Sequence, residues 1–145
     1  MGELVVIFDT VVFIRALLNP HSFWGRLVFE HYHEYRLFVS PQTVREYVEV
    51  LKRPELTTRF STLKGIDVAR ILEILEQAEV VTPTREPQVS RDAKDNKFLA
   101  AAETAKADYL VSEDGDLLDL NKHENTRIVT THEFLQILKA HRKAA

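Results

Sequence analysis

The sequence predicts an α/β fold in which helices cover both faces of a central, mainly parallel β-sheet. Two observations support this prediction. Short apolar runs alternate with amphipathic helical stretches along the whole chain, and acidic residues follow several of the runs, where each strand would end. Because no repeat, low-complexity stretch or long linker divides the 145 residues, we expect a single domain over residues 1–145.

The first half of the chain begins with a short, fully apolar run, "LVVIF", which is typical of a strand buried on both faces. Ser40-Pro41 predicts the start of a helix, because serine caps helices and proline suits the first turn. The predicted elements are a strand at 4–8, helices at 10–19 and 22–35, a strand at 36–40, a helix from 41 that ends near Pro54, and a short helix with a turn at Gly65 within 55–66.

The second half continues the alternation. An alanine-rich stretch predicts a helix, and Thr130 with Glu133 predicts a capping box at the start of the last helix. The predicted elements are a helix at 67–78, a strand at 79–83, a loop at 83–91, a helix at 95–107, strands at 108–112 and 127–130, and a closing helix at 131–143.

Composition excludes several classes of protein. The chain has no cysteine, which rules out a disulfide framework and a thiolate zinc site. It has no run of about 18 uncharged apolar residues, so we expect no membrane-spanning helix. The first ten residues lack the basic segment of a signal peptide, and a cytoplasmic location is expected.

Carboxylates follow the predicted strands and begin or line the helices after them. They are Asp9, Glu46, Asp95, Asp114 and Asp116. Sites in open parallel sheets form beyond the carboxyl ends of the strands, so we expect these acids to converge. Converging carboxylates repel one another unless a cation lies among them, and an all-oxygen site suits Mg²⁺ or Mn²⁺. Such ions favour metal-assisted phosphodiester hydrolysis.

Each acid also has a structural interpretation. Asp9 is a favoured helix cap. Asp114-Gly115 fits an ordinary turn with Asp116 beside it. Asp92 and Asp95 suit the positive end of a helix. Glu46 taken alone fits a solvated helix face, and Glu49, one turn later, is an alternative to it.

Four segments together resemble the PIN-domain ribonucleases, over residues 5 to 138. The segments are "FDT", "SPQTVREYVEVLKRPE", "RDAKDNKFLAAAETAKADYLVSEDGDLL" and "IVTTHEFL". The branch they resemble most is the prokaryotic group described as toxin components of toxin–antitoxin pairs. The resemblance implies a three-layer α/β/α sandwich, an RNA substrate, an antitoxin partner and dimerisation.

The resemblance also implies roles for individual residues. Asp9, Glu46 and Asp95 match the first three acids of the family, and Asp114 and Asp116 match the final pair. In the family these acids surround Mg²⁺ or Mn²⁺, and a metal-bound water attacks the RNA phosphate. By this match all five are expected to be catalytic, with Asp9, Asp95, Asp114 and Asp116 as the metal ligands. Asp92, Thr10 and Ser112 match supporting positions, while Val11 replaces the usual Asn and is expected to weaken the orientation of Asp9.

A net charge of −3 is unusual for a protein that binds nucleic acid. Setting aside the five proposed site acids leaves 17 acids against 19 Lys and Arg, so the remaining surface is slightly basic. Lys94 and Lys97 flank Asp95 and are the preferred phosphate contacts. Other candidates are Arg15, Arg45, Lys52 and Arg53. Glu113 and Asp119 are expected to face solvent, and Asp108 to lie at the opposite end of its strand.

Two other functions fit parts of the sequence. Asp9 after the first strand suits a phosphoacceptor, but a haloacid-dehalogenase-type phosphatase requires a second aspartate at the position of Val11. A receiver domain requires paired acids near its first strand and a lysine after its last, and neither is evident. The second alternative is a non-catalytic relative that binds nucleic acid or protein.

Overall fold

The computed structural model describes residues 3–53 and 65–144, which form a mostly parallel sheet flanked by helices. The six strands are β1 (Leu4–Phe8), β2 (Tyr35–Val39), β3 (Glu79–Val80), β4 (Tyr109–Val111), β5 (Lys122–His123) and β6 (Thr126–Val129). The seven α-helices within the described ranges are α1 (Thr10–Leu18), α2 (Phe23–Phe29), α3 (Pro41–Leu51), α4 (Gly65–Gln77), α5 (Asn96–Ala105), α6 (Gly115–Leu118) and α7 (Thr131–Ala144). Short 3₁₀ turns cover Tyr32–Glu34 and Ala93–Asp95.

The sheet has the strand order β3-β2-β1-β4-β6-β5, with β1 near its centre. The first five of these strands run parallel, and only β5 at the edge pairs antiparallel, with β6. The chain moves outward from β1 to β3 and then crosses back to β4 on the other side of β1. The carboxyl ends of β1 and β4 therefore lie side by side at the point where the topology reverses, which is where open α/β sheets form their sites.

Local sequence explains where two of the helices begin. The Ser40 hydroxyl accepts a hydrogen bond from Thr43 N at 3.1 Å, and Thr43 Oγ1 accepts one from Ser40 N at 3.0 Å. This reciprocal cap, with Pro41 in the first turn, confirms the predicted start of α3. The predicted capping box at Thr130 and Glu133 is also confirmed, with hydrogen bonds of 2.9 and 3.2 Å.

The helices are fixed to the sheet by buried aromatic side chains. Phe134 of α7 packs edge-on against Tyr35 of β2, with ring centroids 5.9 Å apart. Tyr47 of α3 packs edge-on against Phe13 of α1 at 4.9 Å and lies 6.2 Å from Phe98 of α5. Its hydroxyl donates a hydrogen bond to the backbone carbonyl of Phe8, the last residue of β1. Burial of these rings therefore anchors α3 directly beside the end of the central strand.

Several boundaries differ from the sequence predictions. The helix predicted at 22–35 ends at Phe29, because Tyr35 is drawn into the sheet opposite Leu4 of β1, and tertiary pairing overrides the helical pattern. Gly25 allows that short helix to sit close to Pro20, whose carbonyl oxygen would lie 2.0 Å from an added Cβ. The strand predicted at 79–83 is only two residues long.

The hairpin partner β5 was not predicted, since "NKHEN" has no apolar run, and a left-handed Glu124 (φ 53°) makes its turn. Gly65, predicted as a turn, is the first residue of α4, and the rest of the element predicted at 55–66 lies outside the described residues, apart from Ile66 in the same helix. The predicted fold class, a three-layer α/β/α sandwich, is confirmed. No helix in the described part of the chain is long and apolar enough to cross a membrane.

Candidate active site

Strand pairing places Asp9 and Ser112 next to each other at the carboxyl edge of the sheet. Phe8 is in register with Val111, and the backbone N–H of Asp9 donates to the carbonyl of Val111 at 2.9 Å. One strand further, Ser112 N donates to Val129 O at 2.9 Å. The backbone hydrogen bonds of the sheet thus continue one residue beyond β1 and β4. They fix the backbone positions of Asp9 and Ser112 independently of any side-chain contact.

The hydroxyl of Ser112 joins two of the predicted acids. It donates to Asp9 Oδ2 at 2.8 Å and accepts a hydrogen bond from Asp114 N at 2.9 Å. Ser112 is fully buried, so bulk solvent does not reach this residue. It therefore holds the carboxylate of Asp9 and the backbone of the following turn in one arrangement.

Burial and mutual repulsion disfavour the charged forms of two carboxyls. Asp9 is only 5% exposed, and burial, with the Glu46 and Asp114 carboxylates nearby, raises its pKa to about 6 against the lowering effect of the Ser112 hydrogen bond. Burial, followed by the adjacent carboxyls of Asp114 and Asp9, raises the pKa of Asp95 well above its usual range. Such shifts are typical of acids assembled without a compensating cation.

A second group of acids shares Asp95 with the first. One carboxylate oxygen from each of Asp92, Asp95 and Asp116 lies within 4.8 Å of the others. Asp92 is exposed and accepts a hydrogen bond from Lys94 N at 3.0 Å. Asp116 is paired with Arg91 at 3.0 Å, an arginine that the sequence analysis did not single out.

Glu46 is brought to the same edge by α3, but both of its oxygens are already bound. The Lys97 ammonium group donates to Oε1 at 2.6 Å, and the Thr10 hydroxyl donates to Oε2. Glu49, the alternative considered for this role, is exposed on the same helix. Lys97 therefore binds an acid of the site, and its predicted contact with phosphate stays a prediction.

These residues border an open cleft of about 440 Å³. Its described lining comprises Asp9, Thr10, Val11, Ile14, Arg15, Glu46, Val50, Arg53, Asp92, Lys94, Asp95, Glu113 and Asp114. Of the proposed phosphate contacts, Arg15, Arg53 and Lys94 line the cleft, whereas Arg45, Lys52 and Lys97 do not belong to this lining. Four of the five proposed catalytic acids share the cleft, and Asp116 is not among its described lining residues.

Glu113 was predicted to face solvent, and this was wrong. Its Oε1 accepts hydrogen bonds from Trp24 Nε1 at 3.0 Å and from Thr131 N at 3.1 Å, which fixes α2 and α7 to the turn after β4. The guanidinium group of Arg15 lies 4.9 Å from the centre of the Trp24 ring and is thereby held at the cleft. Spacing alone gave no signal for these contacts, because 89 residues separate Trp24 from Glu113.

The donor set fits a hard divalent cation. Asp9, Asp95 and Asp114 offer only oxygen ligands, and Oδ2 of the 8%-exposed Asp95 is buried without a hydrogen-bond partner in the described structure. A buried, unpartnered carboxylate oxygen facing other carboxylates is costly unless a proton or a cation neutralises it. Mg²⁺ and Mn²⁺ prefer such carboxylate oxygens, so the residues suit either ion.

Comparison with known proteins identifies a family and a relative of similar sequence. The model of a family described as PIN domain matches residues 5–116. The uncharacterized protein MJ1680 of Methanocaldococcus jannaschii is 30% identical over 142 residues, covering 93% of this chain and 86% of that protein.

Two solved structures share the fold. VapBC2 from Rickettsia felis, in a crystal structure bound to a DNA fragment from its promoter, has a TM-score of 0.54 and 11% identity, covering 86% of this chain and 97% of that one. PAE2754 from Pyrobaculum aerophilum has a TM-score of 0.53 and 17% identity, covering 94% of this chain and 90% of that one.

Proposed function

The chain belongs to the PIN domain family, and on that premise we propose that it is a divalent-metal-dependent endoribonuclease that hydrolyses RNA phosphodiester bonds. One observation carries the proposal: Asp9, Asp95 and Asp114 converge in one open cleft, where the pKa values of the first two are raised and an Asp95 oxygen has no partner. Acids in this state are poised to bind a cation, and Mg²⁺ or Mn²⁺, when bound, supplies the Lewis acid and lowered water pKa that phosphodiester hydrolysis requires.

The residues of the chain divide into holding and orienting roles. Asp9, Asp95 and Asp114 would hold the ion, and carboxylate oxygens of Asp92 and Asp116 lie within 4.8 Å of one of Asp95. Ser112 orients Asp9 and the Asp114 turn through its two hydrogen bonds, which is the support that ligating carboxylates require. Thr10 and Lys97 orient Glu46.

Cations at the cleft support a nucleic-acid substrate. Arg15, Arg53 and Lys94 border the same cavity as the acids, and cationic side chains beside such a cleft favour contacts with phosphate groups. Val11, which replaces the family's usual Asn, also lines the cleft and donates no side-chain hydrogen bond there. Asp9 therefore depends more strongly on Ser112 for its orientation.

We propose further that the protein is the toxin of a toxin–antitoxin pair in the cytoplasm, with an antitoxin protein as partner and a homodimer as its own assembly. The support is the resemblance of the segments around the acids to that branch of the family. Co-purification with the product of a neighbouring gene, followed by measurement of the mass of the complex, tests this assignment.

A cleavage assay tests the enzymatic proposal. Labelled single-stranded RNA and single-stranded DNA of the same sequence are incubated with the protein and Mg²⁺ or Mn²⁺, and Asp114→Asn is assayed in parallel. We expect the wild type to cut RNA, and Asp114→Asn to lose at least 100-fold in rate because a ligand charge is removed.

Asp108→Asn is the matched control. The Asp108 carboxylate accepts a hydrogen bond from Val5 N at 2.8 Å, at the opposite end of the sheet, and an asparagine oxygen can replace it. Equal RNA cleavage by the wild type and Asp114→Asn would contradict the proposed function, as would cleavage that is insensitive to EDTA.

A further inference from the structure

The pair formed by Lys97 and Glu46 bears on how many metal ions the cleft can hold. Lys97 Nζ lies 2.6 Å from Glu46 Oε1, and both side chains are about one-quarter exposed, at 22% and 24%. The Thr10 hydroxyl, on a residue that is only 4% exposed, binds the other oxygen of Glu46. The glutamate is thus compensated in charge and hydrogen-bonded on both sides by the protein itself.

Unlike Glu46, the aspartates of the cleft have no charge compensation from the described part of the chain. Within the described ranges, no lysine or arginine forms an ion pair with Asp9, Asp95 or Asp114. Asp95 is more than nine-tenths buried, lines the cleft, and leaves its Oδ2 without a partner. We call Asp9, Asp95 and Asp114 the aspartate cluster, and its carboxyl groups are the part of the site that no described lysine or arginine neutralises.

Resting on the proposed function, we propose that Lys97 is a built-in cation that replaces a second divalent ion, so that the protein binds one Mg²⁺ or Mn²⁺ per chain, at the aspartate cluster. Two-metal sites hold their ions about 3.5–4 Å apart through shared carboxylates. A second ion on Glu46 would have to displace the Lys97 ammonium group or lie against it, and repulsion between the two cations opposes both arrangements. An ion at Asp92, Asp95 and Asp116 would share Asp95 with the aspartate cluster and would meet the Arg91 guanidinium group, which lies 3.0 Å from Asp116, so a built-in cation opposes it as well.

The pair also assigns different roles to the two kinds of acid. Glu46 is a positioning residue, which the Thr10 hydroxyl orients and which holds the Lys97 ammonium group, whereas the aspartates are the ligands. If Lys97 instead leaves Glu46 to bind a phosphate of the substrate, its replacement will raise KM without changing how many ions the substrate-free protein binds.

Calorimetric titration of the full chain with Mn²⁺, without RNA, separates these cases. We expect one ion per chain in the wild type and two in Lys97→Met, with the second binding at least 10-fold tighter than any second event in the wild type. Lys94→Met is the matched control, since it removes the same charge from a cleft lysine with no ion-pair partner in the described structure, and it should still bind one ion. In electron paramagnetic resonance, Lys97→Met with excess Mn²⁺ should show a spin-coupled pair, and the wild type should not.

Three further variants distinguish a specific effect on metal binding from misfolding. Lys97→Arg keeps the charge and should bind one ion, and Glu46→Gln should change the affinity of the single ion less than 3-fold, whereas Asp95→Asn should weaken it more than 10-fold. Two ions in the wild type, or one ion in a folded Lys97→Met, would overturn the inference and leave the nuclease proposal standing. Absence of any Mn²⁺ binding by the wild type would instead overturn the proposed function on which the inference rests.

Discussion

Replacing Ser112 with alanine tests whether its hydroxyl organises the site. The substitution removes two buried hydrogen bonds, one to the carboxylate of Asp9 and one from the backbone N–H of Asp114. A hydrogen bond to a charged group contributes about 1.5–3 kcal/mol, and one between neutral groups about 1 kcal/mol. We therefore expect Ser112→Ala to lower the free energy of unfolding by about 2.5–4 kcal/mol where Asp9 is ionised, and by about 2 kcal/mol where it is protonated.

The sign of the pH dependence follows from the pKa of Asp9. Because folding raises this pKa from its ordinary value of 3.8 to about 6, the folded state binds more protons than the unfolded state in this range. The metal-free protein therefore loses stability as pH rises from about 4 to 7, by roughly 3 kcal/mol from this group. The Ser112 hydrogen bond lowers the pKa of Asp9, so Ser112→Ala raises it further, and the loss with rising pH becomes steeper.

Urea unfolding of the metal-free wild type and of Ser112→Ala at pH 5 and pH 8 measures this effect. The difference between the two proteins should be about 0.5–2 kcal/mol larger at pH 8. Ser90→Ala is the control, because the Ser90 hydroxyl has no hydrogen-bond partner in the described structure, and its loss should be small and independent of pH. A Ser112→Ala difference that is equal at both pH values would refute the argument that this hydroxyl acts on an ionised Asp9. Mn²⁺ affinity of the variant at pH 7 should fall about 10- to 100-fold, as for other partners of metal ligands.

Two further predictions concern the cleft. Mn²⁺ should raise Tm by more at pH 8 than at pH 5.5, because the ion must displace protons from Asp9 and Asp95, whose pKa values are raised; an equal rise at both pH values, measured by differential scanning fluorimetry, would place the ion elsewhere. Arg15→Ala should raise KM for RNA about 10-fold or more without changing Mn²⁺ affinity, since Arg15 lies at the cleft against Trp24 and the substitution removes its proposed charge-assisted contact with a phosphate. Arg45→Ala, on the exposed face of α3, is the control for that loss of charge, and an equal change in KM in both variants would show that the effect is not local.

The convergence of the acids could be predicted from sequence because it depends on one rule of topology. Once β1 and β4 are recognised as parallel strands, the residues after them must share an edge, so Asp9 and the turn at Asp114 meet although 105 positions separate them. The position of Ser112 at the same edge follows from the same rule, since Ser112 directly follows β4. Periodicity located most helices for a similar reason, because each has one clear buried face.

Side-chain pairing could not be predicted in the same way. That Lys97 binds Glu46 depends on the separation between α3 and α5, which is set by the packing of Tyr47 and Phe98, and no spacing in the sequence encodes it. The wrong prediction for Glu113 has the same cause, since its partners are also set by long-range packing. Its neighbours in sequence are polar and suggest solvent, but its partners come from α2 and from the start of α7. Where long-range packing decides the partner, charge pattern alone is not informative.

The helix-cap interpretation holds for Asp114 but not for Asp9 or Asp95, and this difference bears on their proposed role as ligands. Asp114 caps α6, accepting a hydrogen bond from Asp116 N at 3.3 Å, and still lines the cleft. Asp9 and Asp95 occupy the equivalent positions before α1 and α5, yet neither side chain makes a capping hydrogen bond. A cap is worth about 1 kcal/mol, and both residues forgo it while burying carboxyl groups that repel each other. A fold selected for stability alone would not keep two such arrangements beside one another, so the carboxylates are better explained by a cation that they are placed to bind.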